Sequence, residues 1–423
     1  MRLRGLLLAA TLSAAVSACG GVRPEVKAAL TGTLPELERE IARAERGGAL
    51  SDERLAELAR AVAEREITGA RGAEGAEQLA VFRPCLSELE LALDERAQRG
   101  DEPAAVATLL LFEAGKRNAH DLVSRYHEAD SGAFRAVAAR ATLAKEHAEL
   151  RRRFFTDPDE RVRRGAFEAA FKAPVPAQLS DLVEAARLDP SPGNRSRAAQ
   201  AVGRIGTEPA VIGLMDLFSA GDEQEQLAVM DAWSDPAAFA RGGERELARA
   251  LNRPGMVSVS AATLLLRSRD SRTAALAVLA RAITEGSDDE RRLALMAAPL
   301  QETSIKVALE KASKSPSPEL TPLILERLAE LPGSATKARA ELEKLARDKG
   351  DGGLEASYAL AQLGSLRAVT RIEQELSHQR ASRRLRAAIT LADLGKHKRL
   401  APRLADKDPL VRATLACRLS EAP

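Results

Sequence analysis

Residues 194–206 read Asn-Arg-Ser-Arg-Ala-Ala-Gln-Ala-Val-Gly-Arg-Ile-Gly, and this pattern constrains the fold more than any other feature of the chain. With Arg195 as position zero, Ala198, Ala199, Ala201 and Val202 fall three, four, six and seven residues later. At 3.6 residues per turn these small side chains form one narrow stripe on a helix. Gly206 follows, where a helix commonly stops. The same template fits at Gly353 (Ala356, Ser357, Ala359, Leu360, Gly364) and at Arg384 (Ala387, Ala388, Thr390, Leu391, Gly395). Looser matches begin at Ala104, Arg135, Arg163, Gln224, Ser258, Arg291, Thr321 and Arg412. Successive spacings run 31, 28, 32, 29, 34, 33, 30, 32, 31 and 28 residues, so the chain is an array of near-equal units. A unit of that length holds two helices and two turns. Second apolar runs do lie between the template hits, at 178–188, 211–218, 273–283, 337–346 and 366–376. One such pair cannot bury both apolar faces, but stacked pairs share a continuous core. The predicted class is all-α, an α-solenoid of about 10–11 stacked helical hairpins.

The turns agree with this reading. Asp157-Pro158-Asp159-Glu160 reads as a helix start with Asp157 as N-cap, and Asp189-Pro190 and Asp408-Pro409 repeat the dipeptide in phase with the stripe. Residues 406–413, Asp-Lys-Asp-Pro-Leu-Val-Arg-Ala, together with 195–206, resemble the Asp-x-Asp-Pro-x-Val-Arg-x-x-Ala and Ala-Leu-Gly segments of HEAT repeats. The resemblance is to the short bacterial type named for phycobilisome lyases, and it covers about three-quarters of the chain. It implies that an Asp and an Arg of this segment hydrogen-bond between adjacent repeats, with Asp157 and Arg163, and Asp408 and Arg412, at the matching positions. Gly353, Ser258 and Thr321 stand where an Arg would be, so an interrupted ladder is expected. Tetratricopeptide repeats, which use Trp and Tyr at set positions, fit poorly a chain with one Trp and two Tyr.

The first residues read differently. Arg2 and Arg4 precede an apolar run over 6–16, followed by Val16-Ser17-Ala18-Cys19-Gly20. Eleven helical residues span about 16 Å, short of the ~30 Å bilayer core, which marks an export signal and not a membrane span. Its end resembles a bacterial lipobox, which implies cleavage before Cys19 and lipidation of that thiol; cleavage after Ala18 without lipid is the alternative, leaving a soluble periplasmic protein. Gly20 at the following position implies sorting to the outer membrane. The domain reading is thus a signal over 1–19, a tether over 20–33, an N-terminal helical cap region over 34–100 and the repeat array over 101–423, with its last helix, 409–419, as the C-terminal cap. Cys85 and Cys417 lie about ten units apart in sequence. With ~10 Å per stacked helix and a Cα separation limit of about 7 Å for a disulfide, two free thiols are expected.

Chemistry is sparse. His120 and His127 are two helical turns apart, too far for one metal, and His127-Glu128-Ala129-Asp130-Ser131 stops short of a zinc-peptidase motif. No phosphate-binding glycine loop or nucleophile elbow occurs. No catalytic residue, metal site, cofactor or small-molecule substrate is predicted. Removing Arg2 and Arg4 with the signal leaves 61 basic and 61 acidic residues, a balance that argues against nucleic acid as partner. The uneven stretch is 366–400, with nine basic and three acidic residues. Arg367, Arg371, Arg383, Arg384, Arg386, Lys396, Lys398 and Arg399 are the candidate partner-binding residues there. A second basic cluster comprises Arg151, Arg152, Arg153, Arg161, Arg163 and Arg164. The functional expectation is a non-catalytic scaffold that binds an envelope protein through a concave face lined by the second helix of each unit. The alternatives are a lyase-type enzyme, which the repeat's resemblance to phycobilin lyases implies, and a nucleic-acid-binding HEAT-like protein.

Overall fold

A computed structural model describes residues 22–314 and 316–421. Cys19 and the export signal expected over 1–19 lie outside the described residues. Every regular element among those residues is helical, and the fold is an all-α solenoid. The chain divides into two compact units. One comprises residues 117–368, and the other combines residues up to 116 with residues from 369 onward.

In the 117–368 unit, the template helices stack in order. They are Gly132–Ala141, Glu160–Lys172, Pro192–Ile205, Glu223–Trp233, Met256–Leu265, Asp288–Ala297, Thr321–Ala329 and Asp351–Gln362. Between them run the second helices, among them Leu179–Leu188, Glu208–Ala220, Arg272–Glu285 and Ala335–Leu345, close to the predicted runs. The predicted stripe is the seam: Ala198, Ala199, Ala201 and Val202 are buried, as are Ala356, Ser357, Ala359 and Leu360. Small residues there let backbones approach. At Gly203 an added Cβ would sit 2.3 Å from the carbonyl oxygen of Ala232 on the next template helix. The template's terminal glycines Gly115, Gly206, Gly364 and Gly395 all take positive φ, the left-handed stop that favours glycine.

The helix starts sit later than the Asp-Pro dipeptides indicated. The N-cap of Glu160–Lys172 is Asp159, which accepts the amide of Arg161, and that of Pro192–Ile205 is Ser191. Asp408 does cap Pro409–Ser420, accepting the amides of Leu410 and Val411. Where Asp-x-Asp or Asp-x-Ser occurs, the second residue takes the cap position and the first is left for another task.

The other unit is where expectation and structure diverge most. Residues 24–31, placed by sequence in a tether, form helix Pro24–Thr31 with Val26, Ala28 and Ala29 buried. Later in the region read as an N-terminal helical cap, the chain forms Gly72–Ala80, a 3-10 segment Arg83–Glu88 holding Pro84, and Glu90–Ala97. Leu34–Arg46 is a helix opened by a Thr33–Glu36 capping box. Helix Asp52–Gly69, capped by Ser51, packs along Pro409–Ser420. The last helix is therefore not an exposed terminal cap. Its outer side is covered by the N-terminal helices, and Cys85 and Cys417 are joined in a disulfide with Cα atoms 5.6 Å apart. The expectation of two free thiols is overturned. It rested on converting sequence distance into spatial distance, and that conversion fails because the two ends of the chain share one compact unit.

Candidate functional site

The most regular polar feature is a ladder of arginines at template position zero. In a full rung the guanidinium does two things at once. Its Nη1 donates to carbonyls at the close of the preceding turn, as Arg135 does to Ala129 and Asp130 and Arg163 does to Asp157 and Pro158. Its Nε and Nη2 reach a carboxylate in the neighbouring layer. Arg135 meets Asp157 at 3.1 and 3.1 Å, Arg163 meets Asp189 at 2.7 and 3.2 Å, and Arg384 meets Asp406 at 2.8 and 2.7 Å. Arg195 makes a single contact of the same kind, to Glu225 at 2.9 Å, and off the template Arg272, at the start of the second helix Arg272–Glu285, reaches Glu302 at 2.9 Å. The accepting aspartates are the first residues of the Asp-x-Asp/Ser segments. Each also takes an amide two residues on: Asp159 to Asp157, Ser191 to Asp189, Asp408 to Asp406.

Asp157 and Arg163 are both ladder residues, but each belongs to a different rung. Arg412 is a ladder residue whose carboxylate partner is Glu66 on helix Asp52–Gly69, at 2.8 and 3.0 Å, while Asp408 serves as a cap. The last rung is thus completed by an acid 346 residues earlier. Bidentate geometry of this type is among the stronger hydrogen-bonded charge pairings. Hydrogen bonds donated to Asp157, Asp189 and Asp406 raise the pKa values of Arg135, Arg163 and Arg384. Burial pushes the Asp406 carboxyl upward, but the Arg384 guanidinium and the Asp408 amide outweigh it and hold the group below the ordinary aspartate value.

The basic stretch 366–400 does not form a uniform docking patch. Arg384 is a rung, its side chain 4% exposed and that of Asp406 2%, so it is withdrawn from the partner-binding set. Arg383 lies 3.6 Å from Glu375, Lys398 lies 3.6 Å from Asp52, and Arg399 pairs with Glu373. Arg371 is half-buried and engaged within the fold. Arg367 and Arg386 are exposed and Lys396 is half-buried, on separate elements. Most of the local positive excess is answered inside the protein.

The second cluster is likewise dispersed. Arg152 pairs with Asp181 and Arg161 with Asp159. Arg151 is fully buried without a carboxylate. It donates to the carbonyls of Thr142 and Ala169 near two helix C-termini and to Gln178, and burial lowers its pKa to about 10. Arg164 points elsewhere, into a groove that sequence alone did not disclose.

That groove, about 740 Å³ in volume, crosses the template helices of the 117–368 unit. Gly193, Ser196, Arg197 and Gln200 face it from Pro192–Ile205, Gln224, Leu227, Ala228 and Asp231 from Glu223–Trp233, and Ser260, Thr263 and Leu264 from Met256–Leu265. These are the i, i+3, i+4, i+7 faces turned away from the seam. The recess is lined mainly by template helices, and Ala186, Arg187, Leu217 and Ala220 of the second helices reach it as well. The size falls in the range of ligand-accommodating clefts. Among the described residues there is no cluster of three or more His, Cys, Asp or Glu able to hold a metal.

The stretch that resembles a known family holds the full Arg163–Asp189 rung and most of this groove. Residues 148–232 match the family model described as HEAT repeats. Over that stretch the chain is similar to HEAT repeats. No curated protein matches the chain. Among solved structures, the crystal structure of an engineered protein is 17% identical over 94% of this chain and 98% of that one, with a TM-score of 0.27.

Proposed function

We propose that the chain is a non-catalytic protein-interaction scaffold, its HEAT units of the short bacterial type, exported and anchored through a lipid on Cys19 to the outer membrane, where it binds an envelope protein. The observation that carries the scaffold reading is the groove laid across successive HEAT layers, a surface that extends by repetition and draws side chains from several units. Export has separate support. A buried disulfide between Cys85 and Cys417 belongs to oxidising compartments such as the periplasm, in keeping with the signal-like start of the chain.

Anchoring is tested by replacing Cys19 with Ser and fractionating cells. The expected outcome is transfer of the protein from the membrane to the soluble fraction, and a variant that stays membrane-bound removes the lipid anchor from the proposal. Binding is tested by proximity labelling from the tethered protein in its own cells, which should mark a reproducible envelope protein. Labelling no stronger than that from an inert exported control would remove the scaffold reading.

A further inference from the structure

The groove is not neutral along its length. Its floor is apolar, with Leu227, Ala228, Leu264 and Leu293 half-buried and open to it. At one end stand Arg164, Arg187 and Arg197. The nearby carboxylate is Glu168, whose Oε1 lies 3.5 Å from Arg164 Nε and 3.9 Å from Arg197 Nη2, and which Arg140 also contacts. One mostly buried carboxylate therefore faces three guanidiniums, and exposed Arg187 adds a fourth positive charge to that end. Arg197 is held in place from two sides. Its Nη1 donates to Gln200 at 2.8 Å, and its guanidinium lies 5.7 Å from the Phe171 ring centroid. The groove's own acids are occupied, Glu225 by Arg195 at 2.9 Å and Asp231 by the Gln200 amide at 2.6 Å.

We infer that this groove docks an acidic amphipathic segment of a partner protein, its apolar side chains on the Leu227–Leu264–Leu293 floor and its carboxylates against Arg164, Arg187 and Arg197. The inference rests on the scaffold reading and specifies its occupant. A small anion would use the arginines but leave the apolar floor open to water. A nucleic acid strand would call for aromatic platforms, and no side chain lining the groove is aromatic.

The test uses the full chain and a fluorescein-labelled helical peptide of about 20 residues, which at 1.5 Å per residue crosses three helices spaced about 10 Å apart. The peptide carries Leu on one face and Glu toward one end; matched controls replace every Glu by Lys or every Leu by Ser. Fluorescence anisotropy should show saturable binding of the Leu/Glu peptide, weakened about tenfold or more in either control and in the Arg187→Glu/Arg197→Glu double variant. Circular dichroism melting checks that the double variant stays folded, and the peptide controls decide the matter without it. Equal binding of the Lys peptide, indifference to the Leu→Ser change, or full displacement by millimolar inorganic phosphate would each overturn the inference. Proximity labelling with the double variant separates the two proposals. Unchanged neighbours leave the scaffold standing and remove the groove as its site, whereas neighbours lost together with peptide binding support it.

Discussion

Removing one member of a rung leaves the other charge buried and alone, which is far costlier than losing an exposed pair. Asp406→Asn should therefore destabilise the protein by about 3–5 kcal/mol in denaturant unfolding. Glu40→Gln, which breaks the exposed Arg43–Glu40 contact, should change stability by under ~1 kcal/mol. Because Asp406 is held below its ordinary value, its pairing is fully available above the unfolded carboxyl value of about 3.9 and is lost as pH falls through the lower folded value. Wild-type stability should accordingly fall below about pH 4, and Asp406→Asn should flatten that fall, measured as melting temperature against pH. The rung acids were partly legible in sequence. Asp157 and Asp189 stood out through their Asp-Pro dipeptides, but a single spacing, Asp-x-Asp, hides two jobs, and only the folded structure assigns the first Asp to the neighbour's arginine and the second to its own helix.

For the helices, the small-residue stripe sufficed to locate the seam, because a residue's face follows from its number along a regular helix. Ala201 is fully buried there. Ala201→Glu should abolish cooperative unfolding or lower stability by several kcal/mol, since it forces an unpaired charge between helices. An unchanged melt would mean that the seam lies on another face. The groove was not legible, because the residues that open it (Arg197, Leu227, Leu264) look in sequence like an ordinary outer face. Nothing local to one helix reports the depth left between three. The N-terminal helices were misread for a related reason. Their faces are matched to a partner helix more than 300 residues later, beyond the reach of a periodicity read in short windows.

For the whole molecule, the Cys85–Cys417 bridge closes a loop of 332 residues, and a cross-link of that span is worth up to about 5 kcal/mol by restricting the unfolded chain. Both sulfurs are buried, with Cys85 0% and Cys417 3% exposed. Cys417→Ser should loosen the unit that joins the chain's two ends while sparing residues 117–368. Hydrogen exchange should then show lost protection in helices Asp52–Gly69 and Pro409–Ser420 and retained protection in Pro192–Ile205. Uniform loss across both regions would show that the two units unfold as one.

The Arg412–Glu66 rung also sets a timetable. Helix Asp52–Gly69 carries Leu55, Leu58 and Val62, all buried in the finished protein, yet the helix that meets its Glu66 is made 346 residues later. At translation speeds of about 5–20 residues per second, Glu66 waits roughly 20 to 70 s for the arginine that completes its rung. The last rung therefore closes only after nearly the whole chain has been made.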